Sequence, residues 1–410
     1  MFFRQLQYLV ALSEEEHFGR AAERCHVSQP SLSIAVKQLE YQLSVPIVMR
    51  GRRFMGFTNE GIRVVNWAKR VIAQRDAMLV ELSGMRENFE GKMAVVTGGG
   101  TGMGRELVCQ LIAQGAHVAM CDISTENMKE TANIADPASD QRLTSHYCDV
   151  SVESEMNRFR DEVLSEHGID HINLLFNNAG IMITGDFVNI DREKWDKTFD
   201  VCWYGVYYGC LAFMPFLVAS DEGHVVNTSS INGFWASIGP NRPHTAYSAA
   251  KFAVKGFTEA LVTDLRLNAP HVKASVVMPG HVGTSIALNS HKARNQNGAL
   301  GMTKDEVDAS RELMVKAGEP VSNLTDDQIR ELNHQSALEF RDNAPTTAAQ
   351  AANIILDGVK AQQWRILVGE DAGMLDQLVR ENPEEAYDDD FLKKLRDRSV
   401  LGFARSDQNS

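Results

Sequence analysis

Cysteine is scarce in this sequence and shows no pairing pattern. Cys25, Cys109, Cys121, Cys148, Cys202 and Cys210 are scattered, with no CxxC spacing among them. That argues against a disulfide framework and a cysteine-ligated zinc site; no metal is expected, and a reducing compartment, the cytoplasm, is. No uninterrupted run of about 18 apolar residues stands out, so neither a transmembrane helix nor a membrane partner is expected. The amino terminus lacks the basic stretch, apolar run and small-residue cleavage site of a signal peptide. Internal repeats, low-complexity tracts and Gly/Ser/Pro-rich linkers are also missing. Basic residues are in deficit, but only over part of the chain. Residues 1–88 hold 12 Lys+Arg against 9 Asp+Glu, and the remainder 29 against 45. An acidic body repels nucleic acid, so any DNA contact falls to the mildly basic head.

What is present fits two or three domains: 410 residues, 44% of them hydrophobic, enough for a large buried core. Residues 1–61 carry apolar residues at helical spacing in short bursts: Leu6, Leu9, Val10; Phe18, Ala21, Ala22; Leu32, Val36, Leu39. "VPIVMRGRRFMGFTNEG" then places two apolar clusters around a Gly-Arg-Arg turn, as a small β-wing does. Residues 62–88 read as one long helix with a single apolar stripe. From residue 89 the texture changes. "KMAVVTGGG", "HVAMCD", "LTSHYCDV", "NLLFNNAG", "GHVVNTSS", "KASVVMPG" and "RILVG" are strand-like and alternate with helical stretches. This rhythm predicts an α/β fold, a Rossmann-like doubly wound parallel sheet, over residues 89–410. Residues 284–345 interrupt it as a polar, helix-prone insertion or lid. The acidic tail from Asn382 reads as a surface helix with a frayed end.

A parallel sheet binds ligands at the carboxyl ends of its strands. The first strand ends at Thr97, and Gly98, Gly102 and Gly104 have the spacing TGxxxGxG. Glycines there allow a tight turn and let backbone N–H groups approach a pyrophosphate. Asp122 ends the second strand, 18 residues after Gly104. A carboxylate at that point accepts ribose hydroxyls and repels a 2′-phosphate, so NAD is expected over NADP; the alternative is a plain turn residue. Asp149 and Val150 close the third strand, where the carboxylate is placed for the adenine amino group. Tyr247 and Lys251 are four apart and share a helix face. A free tyrosine has a pKa near ~10, and a neighbouring ammonium favours its phenolate. Bringing it to neutrality takes roughly 4 kcal/mol.

Thr97 to Gly104, "NNAG" at Asn177 to Gly180, "YSAAK" at Tyr247 to Lys251 and "PGHVGT" at Pro279 to Thr284 occur in the order and spacing of a known family. Over about residues 89–375 the chain resembles the short-chain dehydrogenases/reductases. The resemblance implies interconversion of an alcohol and a ketone or aldehyde, with Tyr247 exchanging the proton and the nicotinamide the hydride. Ser230, Tyr247 and Lys251 take the catalytic places, and Lys251 also holds the nicotinamide ribose. The cofactor residues implied are Thr97, Gly98, Gly102, Met103, Gly104, Asp122, Asp149, Val150, Asn178, Ala179, Gly180, Tyr247, Lys251, Pro279, Gly280, Val282 and Thr284. Two features depart from the family. Cys202, in "VCWYG", stands where the family has an Asn in its proton relay. A thiol is a weak donor and acceptor, so it either slows the relay, is bridged by water, or is a buried small residue. The interval from Ser230 to Tyr247 is also longer than usual. Trp203, Tyr204, Phe234 and Trp235 are either apolar pocket walls, implying a fairly apolar substrate, or core. A homodimer or homotetramer is implied.

The head has its own resemblance. In "VSQPSLSIAVKQLE", Ser28 is placed to cap a helix and Pro30 suits its first turn. Gln29, Ser31 and Ser33 sit where a helix-turn-helix reads base edges; Lys37, Arg50, Arg52 and Arg53 are further DNA-binding candidates, the wing arginines facing phosphate. Residues 1–61 resemble the winged helix-turn-helix of LysR-type regulators, and residues 62–88 their dimerising linker helix. That family continues with a ligand-sensing domain of periplasmic-binding type; here a dehydrogenase-like body follows. The implied partner is double-stranded DNA. Three readings follow: an enzyme carrying a DNA-binding head, a regulator whose body senses NAD(H) or a metabolite, and a gene fusion with a passive head.

Overall fold

The computed structural model describes residues 2–25, 27–49, 54–86, 89–183, 187–188, 191–238, 243–294, 297–316 and 318–397. The chain falls into two compact units, residues 1–87 and 88–410.

In the first unit, α1 (Phe2–Glu15), α2 (Phe18–Arg24) and α3 (Gln29–Leu43) form the expected short helices. Their apolar stripes meet in one core: Leu6, Leu9, Leu12, Ala21, Ala22, Leu32, Val36 and Leu39 are buried. The turn between α2 and α3 ends at Ser28, whose hydroxyl accepts the Ser31 N–H at 3.3 Å. α3 stops at Ser44 in a left-handed conformation (φ 56°). The Glu40 carboxylate then takes the N–H groups of Ile47 and Val48 at 2.9 and 3.0 Å, which fixes the entry to the wing. The wing's root is an antiparallel bridge between Val48 and Phe57. The long helix α4 (Asn59–Arg86) starts earlier than the sequence suggests. Thr58 Oγ1 accepts the Gly61 N–H at 2.8 Å and caps it.

In the second unit seven strands pair in parallel: β1 (Met93–Thr97), β2 (His117–Asp122), β3 (Leu143–Tyr147), β4 (Leu174–Asn177), β5 (Gly223–Thr228), β6 (Val272–Pro279) and β7 (Arg365–Val368). Their order is β3-β2-β1-β4-β5-β6-β7, so the winding reverses between β1 and β4. Alternate residues of β1 feed opposite faces, as the two-residue period of a strand requires. Met93 and Val95 pack with Phe159 and Val163 of α7 (Glu153–His167) and Val254 of α10 (Thr245–Asn268). Ala94 and Val96 pack with Leu107 and Leu111 of α5 (Gly102–Ala113) and Ile355 of α14 (Ala348–Lys360).

The remaining helices are α6 (Thr125–Ala135), α8 (Arg192–Phe199), α9 (Gly205–Val218), α11 (Ile286–Arg294), α12 (Lys304–Lys316), α13 (Asp326–Asp342), α15 (Glu370–Glu381) and α16 (Asp389–Asp397). The insertion is α11 to α13, with a small core of its own built on Met302, Val307, Val321 and Ile329.

Two expectations are corrected. Within Arg192–Val218 an 18-residue window reaches a mean hydropathy of 1.5, so by length and composition alone this helical segment could cross a membrane. Half of that window is buried within the protein, and Val206, Phe213 and Leu217 join the core beneath the sheet. The tail is more than a surface helix. Phe391 and Leu395 of α16 are buried with Leu375, Leu378 and Trp235, and Trp235 Nε1 donates to Ala386 O at 2.7 Å. Trp235 is therefore core rather than a pocket wall, with Phe234 packed beside it.

Candidate active site

The site is built where the strand order reverses. The β1 strand delivers Thr97, whose hydroxyl accepts the N–H groups of Asn178 and Ala179 at 3.0 and 3.1 Å. That ties the loop after β4 to the loop after β1. Gly98 has φ +69°, and a Cβ on it would stand 2.8 Å from Ala179 Cα. A Cβ on Gly104 would stand 1.9 Å from Gly98 O. No side chain fits either place, so the loop packs backbone against backbone and leads straight into the start of α5 at the end of β1. Thr284 closes on Gly102, its Cβ 3.0 Å from the position a Gly102 Cβ would take. Met103 is half-buried against the core. Pro279 ends β6 and Gly280 follows it, beside Val282, which is buried.

At the end of β2, Asp122 Oδ2 accepts the Gly100 N–H and Oδ1 the Ser124 N–H, both at 3.0 Å. Burial raises its pKa against these backbone hydrogen bonds. Asp149 lies beyond the end of β3 rather than within it. Ser151 donates to its Oδ1 at 2.5 Å and Lys197 to its Oδ2 at 2.9 Å. Burial pushes the Asp149 pKa up, but these partners outweigh it and hold the carboxyl below its usual range. Val150 packs on Gly205.

Ser230, Tyr247 and Lys251 converge from two elements. Ser230 follows β5 and caps a single 3-10 turn, its Oγ accepting the Asn232 N–H at 3.1 Å. Tyr247 and Lys251 lie one turn apart on α10, both buried. Lys251 Nζ donates to Thr228 O at 2.8 Å and sits 5.4 Å from the Tyr247 ring centroid. Burial pushes the Tyr247 phenol above its usual range, the nearby Cys202 adds to this, and the Ser230 hydroxyl opposes it. Burial lowers Lys251. In the free protein burial therefore outweighs the help expected from the Tyr–Lys spacing, and the phenol is held neutral.

Cys202 lies in a π-helical turn, Asp200–Tyr204, between α8 and α9. It is fully buried, and its Sγ donates to Ile181 O at 3.2 Å. It stands beside Tyr247 and Lys251, but its hydrogen bond goes to the backbone. Trp203 and Tyr204 belong to an aromatic group with Tyr207 and Tyr208, in which Trp203 also meets Phe257. Sequence reasoning missed three contributors. Arg105 braces the glycine loop through Gly100 O at 2.7 Å. Asn289 of α11 donates to Thr101 Oγ1 at 2.9 Å, joining the insertion to that loop. The His244 ring lies 4.7 Å from that of Tyr247.

In the head, Ser28, Gln29, Pro30, Ser31 and Lys37 are exposed along the start and flank of α3, and Ser33 is half-buried. Arg50, Arg52 and Arg53 lie outside the described residues.

The short chain dehydrogenase family matches residues 92–295, and the bacterial regulatory helix-turn-helix proteins of the lysR family match residues 3–62. SadH of Mycobacterium tuberculosis, named as an oxidoreductase, is 32% identical over 298 residues, covering 72% of this chain and 91% of its own. Epidermal retinol dehydrogenase 2 of Mus musculus is 32% identical over 220 residues, 53% of this chain and 69% of its own. A short-chain dehydrogenase/reductase of Burkholderia phymatum, solved in complex with NAD, is 25% identical with a TM-score of 0.58, covering 73% of this chain and 96% of its own. The chain belongs to the short-chain dehydrogenase family, as an oxidoreductase with a nicotinamide-nucleotide fold. It also carries a lysR-family helix-turn-helix at its amino-terminal end.

Proposed function

We propose that the protein is an NAD-dependent dehydrogenase/reductase that interconverts an alcohol and a ketone or aldehyde. The observation that carries this reading is the convergence of Ser230, Tyr247 and Lys251 at the strand ends beside a glycine cradle that no Cβ could enter. Thr97, Gly98, Gly102, Met103, Gly104, Asp122, Asp149, Val150, Asn178, Ala179, Gly180, Pro279, Gly280, Val282 and Thr284 would hold the dinucleotide. Bound there, it supplies or accepts a hydride. Asp122 would select NAD by accepting a ribose hydroxyl, and a 2′-phosphate beside it would be repelled. Tyr247 gives the proton to a carbonyl oxygen or takes it from a hydroxyl. Ser230 orients that oxygen by hydrogen bonding. Lys251 supplies positive charge near the phenol and would hold the nicotinamide ribose. Cys202 serves as packing. The substrate is expected to be fairly apolar, and a homodimer or homotetramer is the expected assembly. The six free cysteines suit the cytoplasm.

The lysR-family match favours a second activity: binding of double-stranded DNA by residues 1–61, with Gln29, Ser31 and Ser33 toward bases and Ser28 and Lys37 toward phosphate. Under that reading the body either acts alongside the head or senses NAD(H) or a metabolite.

Titration of the full chain with NADH and NADPH, followed by nicotinamide fluorescence, tests the cofactor reading. Preferential NADH binding is expected; failure of both nucleotides to bind would overturn the proposal. Tyr247→Phe should lose turnover while keeping NADH affinity, and normal turnover in that variant would remove Tyr247 from its role.

A further inference from the structure

Ser230 opens a turn that is held from two sides. Its Oγ accepts the Asn232 N–H at 3.1 Å, and the Gly233 N–H closes the turn on Ser230 O at 2.8 Å. On the α10 side, a Cβ on Gly233 would collide with Ser229 Oγ and stand 2.9 Å from Lys251 O. The turn therefore lies with its backbone directly against that of Lys251. The Ser229 hydroxyl donates to Lys251 O at 2.7 Å, and Lys251 Nζ reaches back to Thr228 O.

On the other side the agent is Asn232. It is buried, 4% exposed, and its Nδ2 donates to Trp235 O at 3.1 Å and Ser237 O at 2.7 Å. Both partners are carbonyls, which only accept, so the amide has one orientation. These two bonds fold residues 235–237 back onto the turn. The same segment is fastened to the tail. Trp235 Nε1 donates to Ala386 O at 2.7 Å, and the Ala236 N–H donates to Tyr387 Oη at 2.9 Å. Asn232 is the junction: its backbone meets the Ser230 hydroxyl, and its side chain meets the loop anchored on the tail.

This arrangement gives the Ser230 hydroxyl a direction. A serine hydroxyl has one proton and two lone pairs. The Asn232 N–H occupies the acceptor side, so the proton points elsewhere, and the hydroxyl acts on the Tyr247 phenol. We propose that Asn232 is a positioning residue of the active site: by pinning the turn to the tail-anchored loop, it aims Ser230 as a donor at the reacting oxygen. Its effect on turnover rests on the dehydrogenase reading; the pinning of the turn does not.

The test uses the full chain with NADH bound. Hydrogen–deuterium exchange reads the turn directly. Asn232→Ala removes both side-chain hydrogen bonds and should speed exchange over residues 230–237 by roughly tenfold, with NADH affinity unchanged. Tyr387→Phe, at an exposed tyrosine, removes only the acceptor for the Ala236 N–H and should act in the same direction to a smaller degree. It takes the place of Asn232→Ala in both measurements if that variant fails to fold. Turnover of 9,10-phenanthrenequinone, an apolar diketone, reads the consequence. Ser230→Ala should lower kcat about a hundredfold, and Asn232→Ala about tenfold, with the KM for NADH unchanged. The double variant decides between positioning and plain structure. If Asn232 acts through Ser230, Asn232→Ala should cost less than about twofold on top of Ser230→Ala. A loss in the double variant equal to the product of the two single losses would overturn the proposal. So would unchanged exchange over residues 230–237 in both Asn232→Ala and Tyr387→Phe. Absent turnover of the diketone by the unmodified protein would overturn the dehydrogenase reading and the positioning role together, and faster exchange would then leave only the pinned turn. Turnover with multiplying losses would overturn the role of Asn232 alone.

Discussion

The Asp122 carboxylate accepts the Gly100 N–H at 3.0 Å, which joins the end of β2 to the glycine loop after β1. One side chain thus braces the cradle and presents negative charge beside it. In Asp122→Ser the charge goes while a hydroxyl remains. Hydrogen bonds to charged groups are worth about 1.5–3 kcal/mol, so NADH affinity should fall roughly tenfold to a hundredfold. NADPH affinity should hold or improve, because the repulsion of its 2′-phosphate is gone. Parallel fluorescence titrations measure both; equal losses for the two nucleotides would reduce Asp122 to a brace.

Burial holds the Tyr247 phenol above its ordinary range, which fixes the sign of a pH effect. Below that pKa the phenol is protonated, the form that donates to a carbonyl. Alcohol oxidation requires the phenolate, so kcat/KM for oxidation should rise about tenfold per pH unit through neutrality. Reduction should be flat there and fall only in alkali. Initial rates in both directions between about pH 6 and 10 decide the matter, and a flat oxidation profile would tell against Tyr247 as the base.

The tail is predicted to be structural. Phe391 is buried against Trp235, ring centroids 5.9 Å apart. Truncating a buried phenylalanine costs about 3–5 kcal/mol. Phe391→Ala should lower the Tm of the body by several degrees and shift Trp235 fluorescence to the red. An unchanged Tm would mean that α16 is dispensable.

That contact also marks the limit of what the sequence discloses. The seven strands are legible because buried parallel strands are short apolar runs bounded by glycines and polar turns. Gly98, Gly104, Tyr247 and Lys251 are legible as motifs because their spacing follows the family's pattern, and the structure places Tyr247 and Lys251 one turn apart on α10. Trp235 and Ala386 are 151 residues apart, and no local pattern links them, so an aromatic beside the site was open to a pocket reading. The stretch from Val201 to Ala219 contains no charged residue, but its tyrosines, glycines and proline disguise the apolar run. The start of α4 was missed because Thr58 caps a helix whose first turn, Asn59-Glu60-Gly61, has little helix propensity. The contact of His244 with Tyr247 was invisible because a histidine three residues ahead of a tyrosine carries no signature in sequence.

The head yields the last prediction. If α3 reads DNA, Lys37 contributes charge and Gln29 contributes selectivity, and the two should fail differently. Lys37→Ala should weaken binding to all sequences alike and reduce the slope of log affinity against log salt by about one. Gln29→Ala should cost about 1–3 kcal/mol on the preferred site and little elsewhere. Fluorescence anisotropy with the chain's own upstream DNA, at several salt concentrations, separates these effects. The same titration with and without NADH tests coupling. If NADH changes the affinity for DNA by some factor, DNA must change the affinity for NADH by the same factor. A matched pair of factors would make the body a sensor. Tight DNA binding indifferent to NADH would leave two activities on one chain, and no binding at low salt would leave the head passive.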